Sequence, residues 1–130
     1  MRLLETCLYH DPAEAEAVER FYAETLGLRV CARWPGGLAL RAGAGVLLLF
    51  DREALAAREG PVSDHGTVGP GHACLVASDP GDYERRLGDL REAGVEITHE
   101  HQWDGGRRSF YFRDPAGNLL ELADGDLWPE

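Results

Sequence analysis

The sequence predicts an α+β fold made of two paired β-α-β-β-β modules, and three observations lead to it. The same order of elements occurs twice within 130 residues. The step from the first strand to the glycine that ends the helix covers 22 positions in both halves, Glu5–Gly27 and His72–Gly94. Segment 41–49 aligns with segment 113–121, with identical residues at five of nine positions. The chain therefore divides into a module at 1–58, a linker at 59–71 and a module at 72–130.

Local signals define the elements of the first half. Residues 3–9 suit a short strand, and Asp11-Pro12 is typical of a helix N-cap followed by proline at the first helical position. Apolar residues then keep helical spacing until Gly27. Later elements are a helical turn at 53–58 and three predicted strands, at 28–32, 37–41 and 46–50.

The second half repeats this order. A strand at 72–77 precedes Asp79-Pro80, which begins a helix that Gly94 ends. The pentapeptide Asp114–Asn118 has turn chemistry, because proline presets φ and glycine accepts positive φ. Three further strands are predicted around it, at 95–99, 109–112 and 119–122.

Composition excludes several partners. A formal net charge of −10 argues against non-specific nucleic-acid binding and against anionic membrane surfaces. No apolar stretch approaches the length of a membrane span or of a signal-peptide core. Three cysteines form neither a paired framework nor a CxxC motif, which favours a reducing cytoplasm. We expect a cytoplasmic protein with a small-molecule substrate.

Glu121 is the first candidate functional residue. It is a carboxylate within an apolar strand, and a buried carboxylate must be paired, protonated or bound to a cation. Aligning the repeats makes Glu5 equivalent to His72, and Leu49 equivalent to Glu121. Three of these four positions carry possible ligands, so they predict a site with one histidine, two carboxylates and open coordination positions. Such a site suits Mn²⁺, Fe²⁺, Ni²⁺ or Zn²⁺.

The motifs of the chain resemble those of the vicinal oxygen chelate superfamily. They are Phe21-Tyr22…Leu26-Gly27-Leu28, Gly69-Pro-Gly-His72 and the strand-turn-strand segment 110–121. That group includes glyoxalase I, extradiol dioxygenases, fosfomycin-resistance thiol transferases and bleomycin-resistance proteins. The resemblance implies paired βαβββ modules, each a curved mixed sheet around a cleft. It also implies a divalent metal at Glu5, His72 and Glu121, and a homodimer.

Further residues are candidates for binding substrate. Ser109 and Tyr111 share a strand face, and their counterparts in fosfomycin-resistance enzymes hold the phosphonate. His65 lies in a Gly-rich segment that we predict to fold over the cleft, although a surface-loop histidine is the simpler reading. Trp103 and Trp128 either wall the pocket or pack structurally. Two other sets of side chains are given structural or surface roles: Cys7 and Cys74 as small hydrophobes, and His10, His99 and His101 as solvated residues.

The main functional hypothesis is a metal-dependent enzyme that acts on a small oxygenated metabolite. Its metal chelates two neighbouring substrate oxygens and stabilises an enolate or oxyanion, with Glu121 as a general base. Lyase, isomerase and dioxygenase reactions stay open, although Glu5 in place of histidine disfavours the dioxygenase. The alternatives are a metal-free protein that sequesters a drug and a fosfomycin-type thiol transferase.

Overall fold

The computed structural model describes residues 4–60, 65–66 and 68–127. The chain divides into two compact units. The first runs to Gly71 and includes the turn Pro115–Asn118, and the second comprises His72–Asp114 and the chain from Leu119 onward. Among the described helices, none combines the length and the apolar character that crossing a bilayer requires.

The first unit contains a four-stranded mixed sheet in the order β1-β4-β3-β2. Strand β1 is parallel to β4, and the other neighbours are antiparallel. The strands are β1 (Glu5–His10), β2 (Arg29–Trp34), β3 (Gly37–Ala42) and β4 (Gly45–Asp51). A short helix α2 (Arg52–Ala56) follows, and Asp51 Oδ1 caps it by accepting hydrogen bonds from the backbone N–H groups of Glu53 and Ala54.

The helical segment of the first unit begins where the Asp-Pro pair predicts. Asp11 is extended, and its backbone N–H donates to Glu14 Oε2 at 2.9 Å, as in a capping box. The segment is irregular: a 3₁₀ turn (Pro12–Glu14), helix α1 (Ala15–Arg20) and a wider π turn (Phe21–Thr25). The core combines this helical segment with one face of the sheet, through Leu8, Val18, Phe21, Tyr22, Leu26, Leu38, Leu40, Leu47 and Leu49.

The second unit repeats the architecture, with the sheet order β5-β8-β7-β6. Its strands are β5 (His72–Val76), β6 (His99–Gln102), β7 (Arg108–Arg113) and β8 (Leu119–Ala123). Helix α3 (Pro80–Glu92) separates β5 from β6. The core again combines the helix with one sheet face, through Tyr83, Leu87, Leu90, Phe110, Phe112, Leu120 and Leu122. The predicted α+β fold of two βαβββ modules is therefore confirmed.

The strand register corrects the alignment of the repeats. In the first sheet Cys7 of β1 lies beside Leu48, and in the second sheet Cys74 of β5 lies beside Glu121. The structural counterpart of Glu121 is therefore Leu48, and the predicted equivalence with Leu49 is wrong. Leu49 lies on the opposite face of β4 and is only 1% exposed.

The shift between the two alignments comes from the length of the turn before the last strand of each sheet. In the first sheet Arg41 pairs with Val46, and in the second Arg113 pairs with Leu119. The second turn is thus one residue longer, and a shift of one residue moves every later side chain to the other face.

The predicted strand at 95–99 is also wrong. The ladder with β7 begins at the pair His99–Tyr111 and continues to Gln102, whereas residues 95–98 lie outside any strand. The backbone N–H of Thr98 still donates to Tyr111 O at 2.8 Å, so the chain approaches β7 one residue before the ladder begins.

Asp82 is a buried carboxylate at the start of α3, only 4% exposed. Burial disfavours its charged form, but the Ser78 backbone N–H at 2.8 Å and the guanidinium groups of Arg86 and Arg85 outweigh that cost. The net result is a lowered pKa for the Asp82 carboxyl.

We expect Asp82→Asn to destabilise the protein by about 1–3 kcal/mol at pH 7, because charge-assisted hydrogen bonds are lost. A carboxyl with a lowered folded-state pKa contributes stability above its unfolded-state pKa and loses it as the pH falls through the folded-state pKa. The difference between wild type and variant should therefore shrink on acidification. Urea unfolding at a series of pH values tests this, and a difference independent of pH would contradict it.

Candidate metal and substrate site

A row of candidate functional side chains crosses the face of the second sheet that lies opposite its helix. Glu121 on β8 lies beside Cys74 on one side and Tyr111 on the other, and Tyr111 in turn pairs with His99. Directly paired residues point to the same face, so the four side chains form one line across four strands. Glu121 lies at the centre of the row and is 5% exposed, whereas Cys74 and His99 are exposed.

His72 lies on the same face, two residues before Cys74 on β5. Its Nδ1 is 3.1 Å from the backbone O of Leu119. A carbonyl oxygen only accepts hydrogen bonds, so we assign the ring proton to Nδ1. The other ring nitrogen, Nε2, is 3.6 Å from Glu121 Oε2. This is the orientation of a metal-binding histidine, whose second nitrogen is held by a backbone carbonyl.

Glu121 Oε1 makes this pair suitable for a cation. The atom is buried and accepts no hydrogen bond from the part of the chain that the structure describes. A buried acceptor without a partner costs about 1–3 kcal/mol, more when it is charged. A divalent cation beside His72 Nε2 would remove this cost, so the two residues fit the metal that the sequence predicts.

The predicted third ligand, Glu5, is the first residue of β1 in the first unit, where its side chain is exposed. Within the described ranges, no group of three or more His, Cys, Asp or Glu side chains has an arrangement that could hold a metal ion. The participation of Glu5 therefore stays a prediction.

Three predicted substrate residues lie together on the same face as the His72–Glu121 pair. Ser109 is fully buried, and its Oγ accepts a hydrogen bond from Trp103 Nε1 at 3.0 Å. Burial raises the pKa of the Tyr111 hydroxyl; the Ser109 hydroxyl opposes this rise, and the Glu121 carboxylate adds to it. The Tyr111 hydroxyl is thus able to donate a hydrogen bond at neutral pH, and Trp103, 38% exposed, lies at the edge of the face.

The remaining candidates lie elsewhere. His65 belongs to the first unit, where its Nδ1 is 2.7 Å from the Tyr9 hydroxyl and its ring meets Phe50 edge-on at 5.1 Å. It lies over that module's sheet, and its predicted substrate role stays a prediction. Trp128 lies outside the described residues.

Comparison with known proteins identifies the family. The family model for the Glyoxalase/Bleomycin resistance protein/Dioxygenase superfamily matches residues 13–122. The chain belongs to this superfamily. The resemblance seen in its motifs is therefore confirmed.

Two relatives within the superfamily are similar over most of their length. Glutathione transferase FosA from Serratia marcescens is 36% identical over 110 residues, which are 82% of this chain and 70% of the relative. A lactoylglutathione lyase structure from Agrobacterium tumefaciens has a TM-score of 0.89 and 33% identity, covering 99% and 97% of the two chains. A glyoxalase/bleomycin resistance protein/dioxygenase structure from Nocardioides is 23% identical, with a TM-score of 0.72, and the match covers 100% of this chain and 89% of the Nocardioides chain. At this identity the likeness supports the fold alone.

Asn118 has a structural role that the sequence did not indicate. From the sequence it was only a residue of the turn. It is 2% exposed, its Nδ2 donates to Tyr9 O at 3.1 Å, and its Oδ1 accepts from Gly71 N at 2.8 Å. Gly71 immediately precedes His72, and Asn118 immediately precedes β8. One buried amide therefore fixes the chain just before both strands that carry the His72–Glu121 pair. No local pattern in the sequence indicates these long-range contacts.

Cys74 is exposed, although its thiol is partly desolvated. This partial burial and the adjacent Glu121 carboxylate raise the pKa of the thiol to about 12. At pH 8 only about one part in 10⁴ is then thiolate, the form that reacts with alkylating agents.

We expect iodoacetamide at pH 8 to label the exposed Cys31 quickly and Cys74 slowly in metal-free protein. Glu121→Gln should speed the labelling of Cys74, because the neighbouring negative charge is removed. Peptide mass spectrometry over a time course measures both rates. Equal labelling of Cys31 and Cys74 in the wild type would contradict the expectation.

Proposed function

We propose that this protein is a divalent-metal-dependent enzyme in which His72, Glu121 and Glu5 hold the metal. The observation that supports this most is the buried Glu121 Oε1, which accepts no hydrogen bond from the described residues, on a carboxylate whose other oxygen lies 3.6 Å from His72 Nε2. The matching position in the first module is the apolar Leu48, so the repeat supplies three ligands and leaves coordination positions open for substrate.

The chain's own groups have distinct parts in such a reaction. When bound, the metal supplies Lewis acidity to two neighbouring oxygens of a small oxygenated substrate. The Leu119 carbonyl keeps the His72 ring in one orientation. The Tyr111 hydroxyl, protonated at neutral pH as an ordinary phenol is, donates a hydrogen bond to a substrate oxygen. Glu121 removes or returns a proton as general base, and the Trp103 indole limits access of water from the β6 side.

The first reaction class we propose is a lyase or isomerase reaction on a thiol adduct, since the similar Agrobacterium protein is a lactoylglutathione lyase. A second candidate, thiol transfer, is favoured by the 36% identity with a glutathione transferase and by the presence of Ser109 and Tyr111 on the same face as the His72–Glu121 pair. Homodimerisation and a cytoplasmic location stay predictions.

Metal analysis and a substrate panel test this proposal. Protein stripped with a chelator and reloaded with Mn²⁺, Ni²⁺ or Zn²⁺ is assayed for lactoylglutathione formation from methylglyoxal and glutathione, and for glutathione addition to fosfomycin. We expect one metal per chain, and activity in one assay that disappears in the stripped protein. His72→Ala should lose both metal and activity, whereas the matched His101→Ala, which changes an exposed histidine on β6, should keep its metal.

Wild-type protein that takes up no metal and binds a drug stoichiometrically would instead support the sequestering protein. Metal binding that His72→Ala leaves unchanged would place the cation elsewhere and overturn the proposed ligands.

A further inference from the structure

The first unit has a cavity of its own, with a volume of about 360 Å³. This lies within the range of about 300–1,000 Å³ that small-molecule sites occupy. Its wall includes one aromatic ring, one histidine, one arginine and three carboxylates: Trp34, His10, Arg33, Glu16, Glu19 and Asp51. None of these residues is part of the proposed metal site.

The charge of the cavity wall is negative. The one lining guanidinium, Arg33, is already engaged by the carboxylate of Glu19. Glu16 pairs with Arg20 at 2.6 Å, and both side chains are largely exposed, so they interact weakly. Asp51 uses Oδ1 to cap α2, which leaves its negative charge at the wall. A chain with a net charge of −10 adds to this potential.

Trp34 forms the aromatic part of the cavity wall, and its indole lies directly against the backbone of Gly37. A Cβ atom added to Gly37 would lie 2.5–2.8 Å from three atoms of the indole, so only glycine lets this ring lie against the strand. The indole also packs at a tilt against Phe50, with ring centroids 5.6 Å apart. An indole held in this way offers a fixed apolar surface to a ligand in the cavity.

His10 supplies an unused acceptor. It is only 5% exposed, and its Nδ1 lies 2.9 Å from Asp11 O, an oxygen that can only accept, so Nδ1 carries the proton. Among the described residues, nothing hydrogen-bonds to Nε2. With the proton on Nδ1, Nε2 offers a lone pair to a ligand that donates a hydrogen bond.

We propose that this cavity binds a small organic cation, namely a primary ammonium group joined to an apolar or aromatic body. Asp51 and Glu16 attract the charge, His10 Nε2 accepts an ammonium N–H, and the body of the ligand lies against Trp34. An anion would meet excess carboxylate and an arginine that is already neutralised. The proposal does not depend on the metal site, since every residue it uses belongs to the first unit.

Binding of 2-phenylethylammonium to the full chain, followed by ¹H–¹⁵N NMR, tests the proposal. The reporter is the indole signal of Trp34, assigned by its loss in Trp34→Phe. We expect a saturable shift, and binding about tenfold weaker for the neutral analogue 2-phenylethanol, because the attraction of Asp51 and Glu16 for the charge is lost.

Two variants and a control sharpen the test. Asp51→Asn keeps the helix cap, because Asn caps as well as Asp, and should weaken binding of the ammonium probe about fivefold or more. Gly37→Ala should displace the indole and weaken binding of the ammonium probe further. Trp103→Leu, in the second unit, should leave binding of the probe unchanged. Equal binding of the alcohol and the ammonium, an unshifted Trp34 signal, or an unchanged affinity in folded Asp51→Asn would overturn the proposal.

Discussion

Glu121→Gln will remove stoichiometric metal binding and reduce metal-dependent turnover by at least about 100-fold. Glu121 is the buried centre of the row on the second sheet, and its Oε1 has no other partner among the described residues. Changing residues that merely support a metal ligand costs about 10–100-fold, so loss of a ligand should cost at least as much. Elemental analysis and the assay that detects activity measure the two effects.

The same substitution should stabilise the metal-free protein by about 1 kcal/mol. It removes a buried charge, and the new amide N–H can donate to His72 Nε2, which lies 3.6 Å from Oε2 in the wild type. Chemical denaturation with a chelator present measures the difference. A group with a purely structural role would not give opposite signs for stability and for metal binding.

Glu100→Gln is the matched control for this prediction. Glu100 lies on β6 of the same sheet, is exposed, and pairs with Arg91. We expect it to change neither metal content nor stability measurably, because exposed ion pairs contribute little. Glu121→Gln protein that retains a full complement of metal would exclude Glu121 as a ligand.

The second large effect distinguishes two neighbouring leucines on β4. Leu49→Glu should unfold the protein or destabilise it by about 4 kcal/mol or more, because Leu49 is 1% exposed in the core and its replacement would bury an unpaired charge. Leu48→Glu should be much milder, because Leu48 lies on the other face and is only partly buried. Circular dichroism and thermal unfolding of both variants provide the comparison.

Leu48→Gln serves as the uncharged control, since it separates the effect of polarity from that of charge at the same position. Equal destabilisation by Leu48→Glu and Leu49→Glu would contradict the register, in which Leu48 lies beside Cys7 and corresponds to Glu121.

The order of elements was predictable because it depends on local chemistry. Asp-Pro pairs begin both helical segments, and Gly27 and Gly94, with φ of +69° and +77°, end them as predicted. The register within the sheets was not predictable to one residue. Identical residues around Gly45 and Gly117 favoured an alignment without a gap, but the pairing partners of a strand depend on turn length, which similarity alone does not reveal.

The candidate site was predictable at the position where a charged side chain interrupts an apolar strand. Glu121 stands out as a carboxylate in an apolar strand, and the structure buries it beside His72. The hydrogen bond from Trp103 to Ser109 and the long-range bonds of Asn118 were not predictable. These hydrogen bonds join residues that come together only when the chain folds, and no local sequence pattern marks them.

Anomalous diffraction from crystals grown with Mn²⁺ tests the metal site most directly. We expect one strong peak per chain, about 2.0–2.3 Å from His72 Nε2 and from carboxylate oxygens of Glu121 and Glu5, distances usual for imidazole and carboxylate ligands. A peak bound by other residues, or none at a Mn²⁺ concentration that restores activity, would contradict the account.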